Sequence, residues 1–341
     1  MGFCVKQHLK IDLGIFAHNE AANIQAMLLM LQRQDIFGLP DISLRVFVLA
    51  NGCDDATVEL AEQTIAGMMH AAQFEVCNIA IGGKSRTWNA FVHDIARADS
   101  NYLIFCDADI DIPQPDALRK MIAFVQSHPK IIVSSSRPVK DIVYAPERLN
   151  LRDRMIAAGG GTLDDWRKSV CGQLYILKAD IARSFHLPIG LPVEDGFVRA
   201  MVLTDLFRQA ENPDMIDGDE SVFHVYQSER GVLALIRHQV RIVIGSALNA
   251  VVFETLHGSA APQTMLETAA RDPDWLGALC QKKLPQRYGF VPFHFLTKRL
   301  SGLSSATLKR KTIVLMGFGF DLVVYVIAQV KMARGVGAGY W

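Results

Sequence analysis

Short apolar runs and helical patterns alternate through the first half of this chain. Ile11–Phe16, Leu44–Ala50, Phe74–Ile79, Tyr102–Cys106 and Lys130–Ser135 read as strands, rich in β-branched and aromatic side chains. Between them, Ala21–Gln34, Ala56–His70, Ser85–Ala98 and Pro115–Ser127 carry apolar positions at helical spacing. Repeated units of this length predict an α/β fold whose mostly parallel sheet is flanked by helices on both faces. The crossovers are expected to be right-handed, because strands twist that way. Ligands of such sheets bind beyond the carboxyl ends of the strands.

The pattern changes near residue 140. Arg148–Ala158 reads as helical and is broken by Gly159-Gly160-Gly161. Gln173–Lys178 reads as a strand, Pro192-Val193-Glu194-Asp195 opens a helix running to about Phe207, and Ser221–Tyr226 reads as the last strand. A long apolar helix is expected from Gly231 to about Thr255, and the remainder is helical. The expected division is therefore a sheet domain over 1–230 and a helical C-terminal region over 231–341.

Four successive strand ends carry chemistry: Ala17-His18-Asn19-Glu20, Asn51-Gly52-Cys53-Asp54-Asp55, Gly82-Gly83-Lys84 and Asp107-Ala108-Asp109-Ile110-Asp111. In extended chain, residues two apart point the same way, so Asp107 and Asp109 can converge on one cation. Hard carboxylate oxygens suit Mg2+ or Mn2+, and such an ion neutralises a diphosphate leaving group. Alone, this pair reads equally well as an acidic turn. Gly82-Gly83-Lys84 offers backbone N–H groups and an ammonium to phosphate, or simply turns the chain into a helix. Asp55 is expected to cap the helix that follows it.

Composition narrows the class. The 341 residues hold 35 Lys plus Arg and 35 Asp plus Glu, so no basic excess points to nucleic acid. Six scattered cysteines form no CxxC pair and suggest a reducing compartment. The N-terminal residues show no secretory pattern, which suggests that the protein is not exported.

The series FAHNEAANI, NGCDDAT, GGKSRTWNA, IFCDADID and LPVEDGFVRA resembles the family 2 glycosyltransferases of GT-A fold over roughly residues 10–230. Each motif is loose alone, but their order and spacing together are specific. The resemblance implies an inverting transfer of a sugar from a nucleoside-diphosphate donor, assisted by Mn2+ or Mg2+. It implies that Asn19, Glu20, Asn51 and Asp55 lie along the nucleoside, with Asn51 standing where the family often has Asp. Lys84 and Asn89 would line the donor site, Asp107 would face ribose or sugar, and Asp109 would hold the metal. Asp195 would be the general base on the acceptor hydroxyl, with Glu194 beside it on the acceptor side. His224 would complete the metal shell. By their spacing, Arg237 and Arg241, one helical turn apart, face the diphosphate together or form a solvated helix stripe. The run Arg237-His238-Gln239-Val240-Arg241-Ile242 departs from the QxxRW motif of processive members, which points to transfer of single sugars.

Thr312–Val330 is apolar and flanked by Lys309-Arg310-Lys311, Lys331 and Arg334. At about 1.5 Å per residue it barely reaches across a bilayer core, and Asp321 at its centre costs about 2.5–3.5 kcal/mol there. The expectation is a helix that lies in the interface, or packs on Gly231–Thr255 with Asp321 paired to a basic group. Tyr288, Phe290, Phe293 and Phe295, followed by Lys298 and Arg299, form a second interfacial candidate. Together these suggest an enzyme on the cytoplasmic side of a membrane, peripheral or partly embedded, with a lipid-linked or polysaccharide acceptor. Two other readings stand beside it. A sugar-nucleotide nucleotidyltransferase normally opens with a glycine-rich loop where this chain has AHNEA. A non-catalytic nucleotide-sugar binding protein would have no need of both acidic pairs.

Overall fold

The computed structural model describes residues 8–145, 165–285, 287, 289–300 and 308–335. The helix expected over Arg148–Ala158, the glycine break after it and Tyr288 lie outside the described residues. The chain divides into two compact units. The first holds the described residues up to His186 together with Asp195–Ser228, and the second holds Leu187–Glu194 and the described residues from Glu229 onward.

In the first unit, strands β1 (Leu9–Ala17), β2 (Ile42–Asn51), β3 (Phe74–Ile79) and β4 (Tyr102–Asp107) form the parallel part of a seven-stranded sheet. The order is β3-β2-β1-β4-β8-β6-β9, completed by β8 (Leu174–Lys178), β6 (Val133–Ser135) and β9 (Ile216–Asp217). Helices α1 (Ile24–Leu31), α2 (Thr57–Ala66), α3 (Lys84–Ala90) and α4 (Ala117–Ser127) connect or follow the parallel strands. The expected sheet is therefore present, with one departure: β8 runs antiparallel to both β4 and β6. The expected last strand, β10 (Phe223–Tyr226), lies instead in a separate three-stranded sheet between β5 (Ile110–Asp111) and β7 (Arg137–Lys140). The expected helix over Ser85–Ala98 ends as α-helix at Ala90 and continues as one wider turn, Phe91–Ile95.

The two faces of the sheet differ in kind, and the period of two along each strand sorts them. Ile11, Leu13 and Ile15, with Val46, Val48, Ile104, Leu174 and Ile176, join an aliphatic core with α1, α2 and α4. The alternate positions carry rings. Gly14 is in register with Phe47 on one side and Phe105 on the other, and Phe105 is in register with Tyr175. Phe105 stacks on Tyr175 at 4.5 Å and on Trp88 at 5.7 Å, and Phe91 meets Phe105 edge-on at 5.4 Å. Gly14 leaves the room this needs, since a methyl there would stand 2.9 Å from Leu49 and 3.1 Å from the Phe91 ring.

One charge is buried in this sheet. Asp12, in β1, is fully enclosed, and its carboxylate accepts from Arg97 N at 2.6 Å, Arg97 Nε at 2.8 Å and Ser100 Oγ at 2.6 Å. The guanidinium then donates to the carbonyls of Ile11 and Ser43, so one ion pair ties β1, β2 and the segment entering β4.

In the second unit, α6 (Val232–His257) packs against α9 (Leu308–Ala333), with α7 (Pro262–Ala269) and α8 (Trp275–Lys283) beside it. Helix α5 (Glu194–Leu203) starts at the end of the Leu187–Glu194 segment. That segment belongs to this unit because Asn249 Nδ2 donates to the Val193 carbonyl at 3.0 Å and Ile189 N donates to Ala269 O at 3.0 Å. Asp321 is paired. Arg299 Nε and Nη2 meet its two oxygens at 2.5 and 3.0 Å. Among the described residues, one helix, Val232–His257, is long and apolar enough to cross a membrane by length and composition, and half of that stretch is buried in the protein.

Removing Asp12 leaves Arg97 with no counter-charge in the sheet. Asp12→Ala is expected to lower unfolding free energy by about 3–5 kcal/mol, read by urea denaturation. A loss below about 1 kcal/mol would show that the pair does not hold these strands together.

Candidate functional site

The strand-end loops of β1 to β4 meet at one edge of the sheet, and Asn51 knots them. Its side chain is 2% exposed, and its Oδ1 accepts from Gly83 N and Thr87 Oγ1, both at 2.8 Å. Its carbonyl oxygen lies 2.7 Å from His18 Nδ1. Gly52, with φ of +60°, lets the β2 loop touch the β3 loop, because a side chain there would stand 2.6 Å from Gly82 N. The close approach delivers Gly83 and Lys84 to the site.

Lys84 Nζ spans both oxygens of Asp107, at 2.8 and 3.0 Å. Asp107 N donates to Gln173 O at 2.8 Å, and Ala108 N to Phe16 O at 3.0 Å, so the turn carrying both aspartates is pinned on two sides. Asp109 is exposed just beyond it. Asn89 is buried on α3.

Asn19 takes a left-handed conformation, φ 56°, which Asn tolerates better than most residues. Its Oδ1 accepts from Asp54 N at 3.0 Å. Glu20 accepts from Asn23 Nδ2 at 2.7 Å. Burial raises the Glu20 pKa, and the nearby Asp109 and Asp55 carboxylates push the same way against the Asn23 bond. Asp55 behaves oppositely. Burial works upward on it, but bonds from Thr57 Oγ1 (2.5 Å), Thr57 N (3.0 Å) and Ala21 N (3.1 Å) prevail, so its pKa is lowered. Asp55 was expected at the N-cap of α2. The cap position is Ala56, and Asp55 sits one residue earlier in an Asx turn.

Asp195, near the start of α5, packs against Gly172, and its Oδ1 accepts from Gly196 N at 2.7 Å. Gly172 adjoins Gln173, which holds Asp107, so the two acidic motifs approach through this segment. Beside it the Cys171 thiol is pushed up to about 12 by burial, with Asp195 adding to the shift and a Ser135 bond opposing it.

His224 is fully buried. Its Nδ1 lies 3.1 Å from Ser136 Oγ and its Nε2 3.1 Å from Gln173 Oε1, and burial pulls its pKa down to about 3. The ring is therefore neutral, and binding a metal through Nε2 requires the Gln173 contact to open. Glu194 is buried at the start of α5. Arg237 and Arg241 stand on α6 in the second unit, Arg237 exposed and Arg241 partly so.

Three residues to which the sequence reading gave no role emerge in the site. Thr57 and Thr87 each bind a loop from a neighbouring strand end, and Gln173 links Asp107 to His224. Thr57 and Thr87 stand inside the motifs NGCDDAT and GGKSRTWNA, whereas Gln173 carried no motif signal. No group of three or more His, Cys, Asp or Glu side chains able to cage a metal occurs among the described residues. The donors do fit a hard cation that takes most ligands from phosphate and water: Asp109 is exposed, Glu20 faces it, and Lys84 balances Asp107.

The folded pKa of Glu20 lies above its ordinary value of 4.5, so its ionisation costs stability as pH rises through the folded pKa. Glu20→Gln keeps an acceptor for Asn23 and removes the charge. The variant is expected to match wild type in melting temperature at pH 4 and to exceed it at pH 8. Identical melting curves at both pH values would refute the stated cause.

Residues 12–178 match the glycosyl transferase family 2 model. No curated protein matches the chain by sequence. Among solved structures the chain is similar to a mannosyltransferase, PcManGT from Pyrobaculum calidifontis, in complex with GDP-Man and Mn2+. The TM-score is 0.50 at 16% identity, over 94% of this chain and 86% of that one. It is also similar to glucosyl-3-phosphoglycerate synthase from Mycobacterium tuberculosis in complex with Mg2+ and uridine-diphosphate, with a TM-score of 0.46 at 16% identity, over 70% of this chain and 77% of that one. At 16% identity the likeness to the mannosyltransferase is one of fold. The acidic strand-end loops, the mostly parallel sheet and the family match agree, and the chain carries a glycosyl transferase family 2 domain of GT-A fold and is a glycosyltransferase.

Proposed function

We propose that the protein transfers one sugar, with inversion, from a nucleoside-diphosphate donor to a hydroxyl of a lipid-linked or polysaccharide acceptor. The observation that carries this reading is the union of Asp109, Glu20 and the Lys84–Asp107 pair at one sheet edge, with Asp195 reached from Asp107 through Gln173 and Gly172. The donor class is supported by the fold relative that is described with GDP-Man and Mn2+.

In this reading Asn19, Glu20, Asn51 and Asp55 form the nucleoside side, and Lys84 and Asn89 line the donor. Lys84 turns from Asp107 to the diphosphate, while Asp107 faces ribose or sugar. Asp109 is the carboxylate for Mn2+ or Mg2+, with His224 behind it if Gln173 yields. A bound ion of this kind supplies charge neutralisation for the departing diphosphate. Asp195 takes the proton of the acceptor hydroxyl as its oxygen attacks the anomeric carbon, and the electron pair of the broken bond leaves with the diphosphate. Glu194 serves the acceptor side, and Arg237 and Arg241 serve the diphosphate. The apolar helix Val232–His257 and the basic residues of the C-terminal region support a place on the cytoplasmic side of a membrane, and this reading takes 1–230 as the catalytic domain and 231–341 as a helical C-terminal region.

A panel of nucleotide sugars with Mn2+ tests the donor, because a ligand of the native state raises the melting temperature by mass action. Asp195→Asn is expected to lower kcat by about 10²–10⁴ while the stabilising donor still binds. Asp109→Asn is expected to lose the Mn2+ dependence of that binding. If both variants turn over donor at the wild-type rate, the mechanism is wrong.

A further inference from the structure

A cleft opens beside Asp109, between α1 and the three-stranded sheet. Asn23 at the N-cap of α1, Met27 within it, Asp109 before β5, Asp111 in β5, and Tyr226 and Gln227 at the end of β10 line it. Hydrogen-bonding groups thus surround an apolar patch, the mixture that a sugar ring or other polyol satisfies.

Tyr226 stands out among these residues. Its side chain is half-buried, yet its hydroxyl makes no hydrogen bond among the described residues. A phenol so placed usually finds a partner. Its neighbours are telling. The Tyr226 ring lies 6.4 Å from that of His224, whose Nε2 is 3.1 Å from Gln173 Oε1. Tyr226 therefore shares a cleft with Asp109 and connects, through His224 and Gln173, to the segment whose Gly172 packs against Asp195.

We propose that this cleft is an acceptor subsite for a neutral, hydroxyl-rich group, and that the Tyr226 hydroxyl is a positioning donor to an acceptor oxygen adjacent to the attacking one. The assignment rests on the glycosyl-transfer reading above. In the reaction the acceptor oxygen forms its bond to the anomeric carbon as the carbon–diphosphate bond breaks. The acceptor proton passes to Asp195, and Tyr226 keeps its own. Asp111 and Asp141, to which no cation is assigned, also border the cleft, so an anionic acceptor is repelled where a neutral one is accepted.

The test uses the full chain with Mn2+ and the nucleotide sugar that gives the largest thermal shift. Release of nucleoside diphosphate is followed against glycerol, methyl α-D-glucopyranoside and glycerol 3-phosphate as probe acceptors. Wild type is expected to be accelerated by the two neutral polyols, and by glycerol 3-phosphate about tenfold less in kcat/KM. Tyr226→Phe is expected to raise the KM for the neutral acceptors about tenfold, the loss of one hydrogen bond, while the donor KM holds within about twofold. Gln227→Ala, at an exposed position, is a second variant expected to raise the acceptor KM should Tyr226→Phe be unstable. An unchanged acceptor KM in stable Tyr226→Phe, a preference for glycerol 3-phosphate, or no acceleration by either polyol overturns the subsite. Failure of every nucleotide sugar to bind or turn over overturns the underlying glycosyl-transfer reading as well, and is distinguishable because it precedes any acceptor.

Discussion

The Asn51 side chain is the constraint on which the site depends. One buried amide oxygen accepts from the β3 loop and from α3, while the same residue's carbonyl meets His18 of the β1 loop. The family resemblance leads one to expect Asp here, and an amide in its place has a physical sense. At 2% exposure a carboxylate would require a counter-charge, whereas a neutral amide needs only hydrogen bonds. With the loops knotted, Gly83 and Lys84 are carried to Asp107 by the backbone.

The opposite half of β1 is held differently. Asp12 and Arg97 place a charge pair inside the sheet, with each carboxylate oxygen satisfied. Between these two polar anchors β1 is apolar on one face and admits the aromatic stack over Gly14 on the other. A central strand so constrained gives the carboxyl-end loops little freedom to shift, which suits a site built from groups on four strands.

Carboxylates at the site are tuned apart by their surroundings. Asp55 is held ionised by three hydrogen bonds, whereas Glu20 resists ionisation beside Asp109. Lys84 offsets Asp107, while Asp109 stays exposed beside Glu20 and suits a divalent cation. In the second unit the logic is simpler: the one acid in the apolar stretch of α9 is met by both nitrogens of an Arg299 fork.

The amino-acid pattern by itself determined the parallel strands, the helices between them and the polar loops at their ends. Those features are local, because burial on one face of an element leaves a period in the sequence. The ordered motifs likewise led to the family, since Asn19, Lys84, Asp107 and Asp195 keep their spacing along the chain. Tertiary structure alone decided what those residues touch. Nothing in the strand pattern showed that β8 would run antiparallel beside β4, and so bring Gln173 to Asp107. Nor did it show that β10 would leave the main sheet and set Tyr226 in a cleft with Asp109. The family resemblance offered His224 as a ligand, whereas its contacts with Ser136 and Gln173 come from segments 88 and 51 residues away. Contacts of that separation are set by how layers pack, and packing leaves no period in the chain.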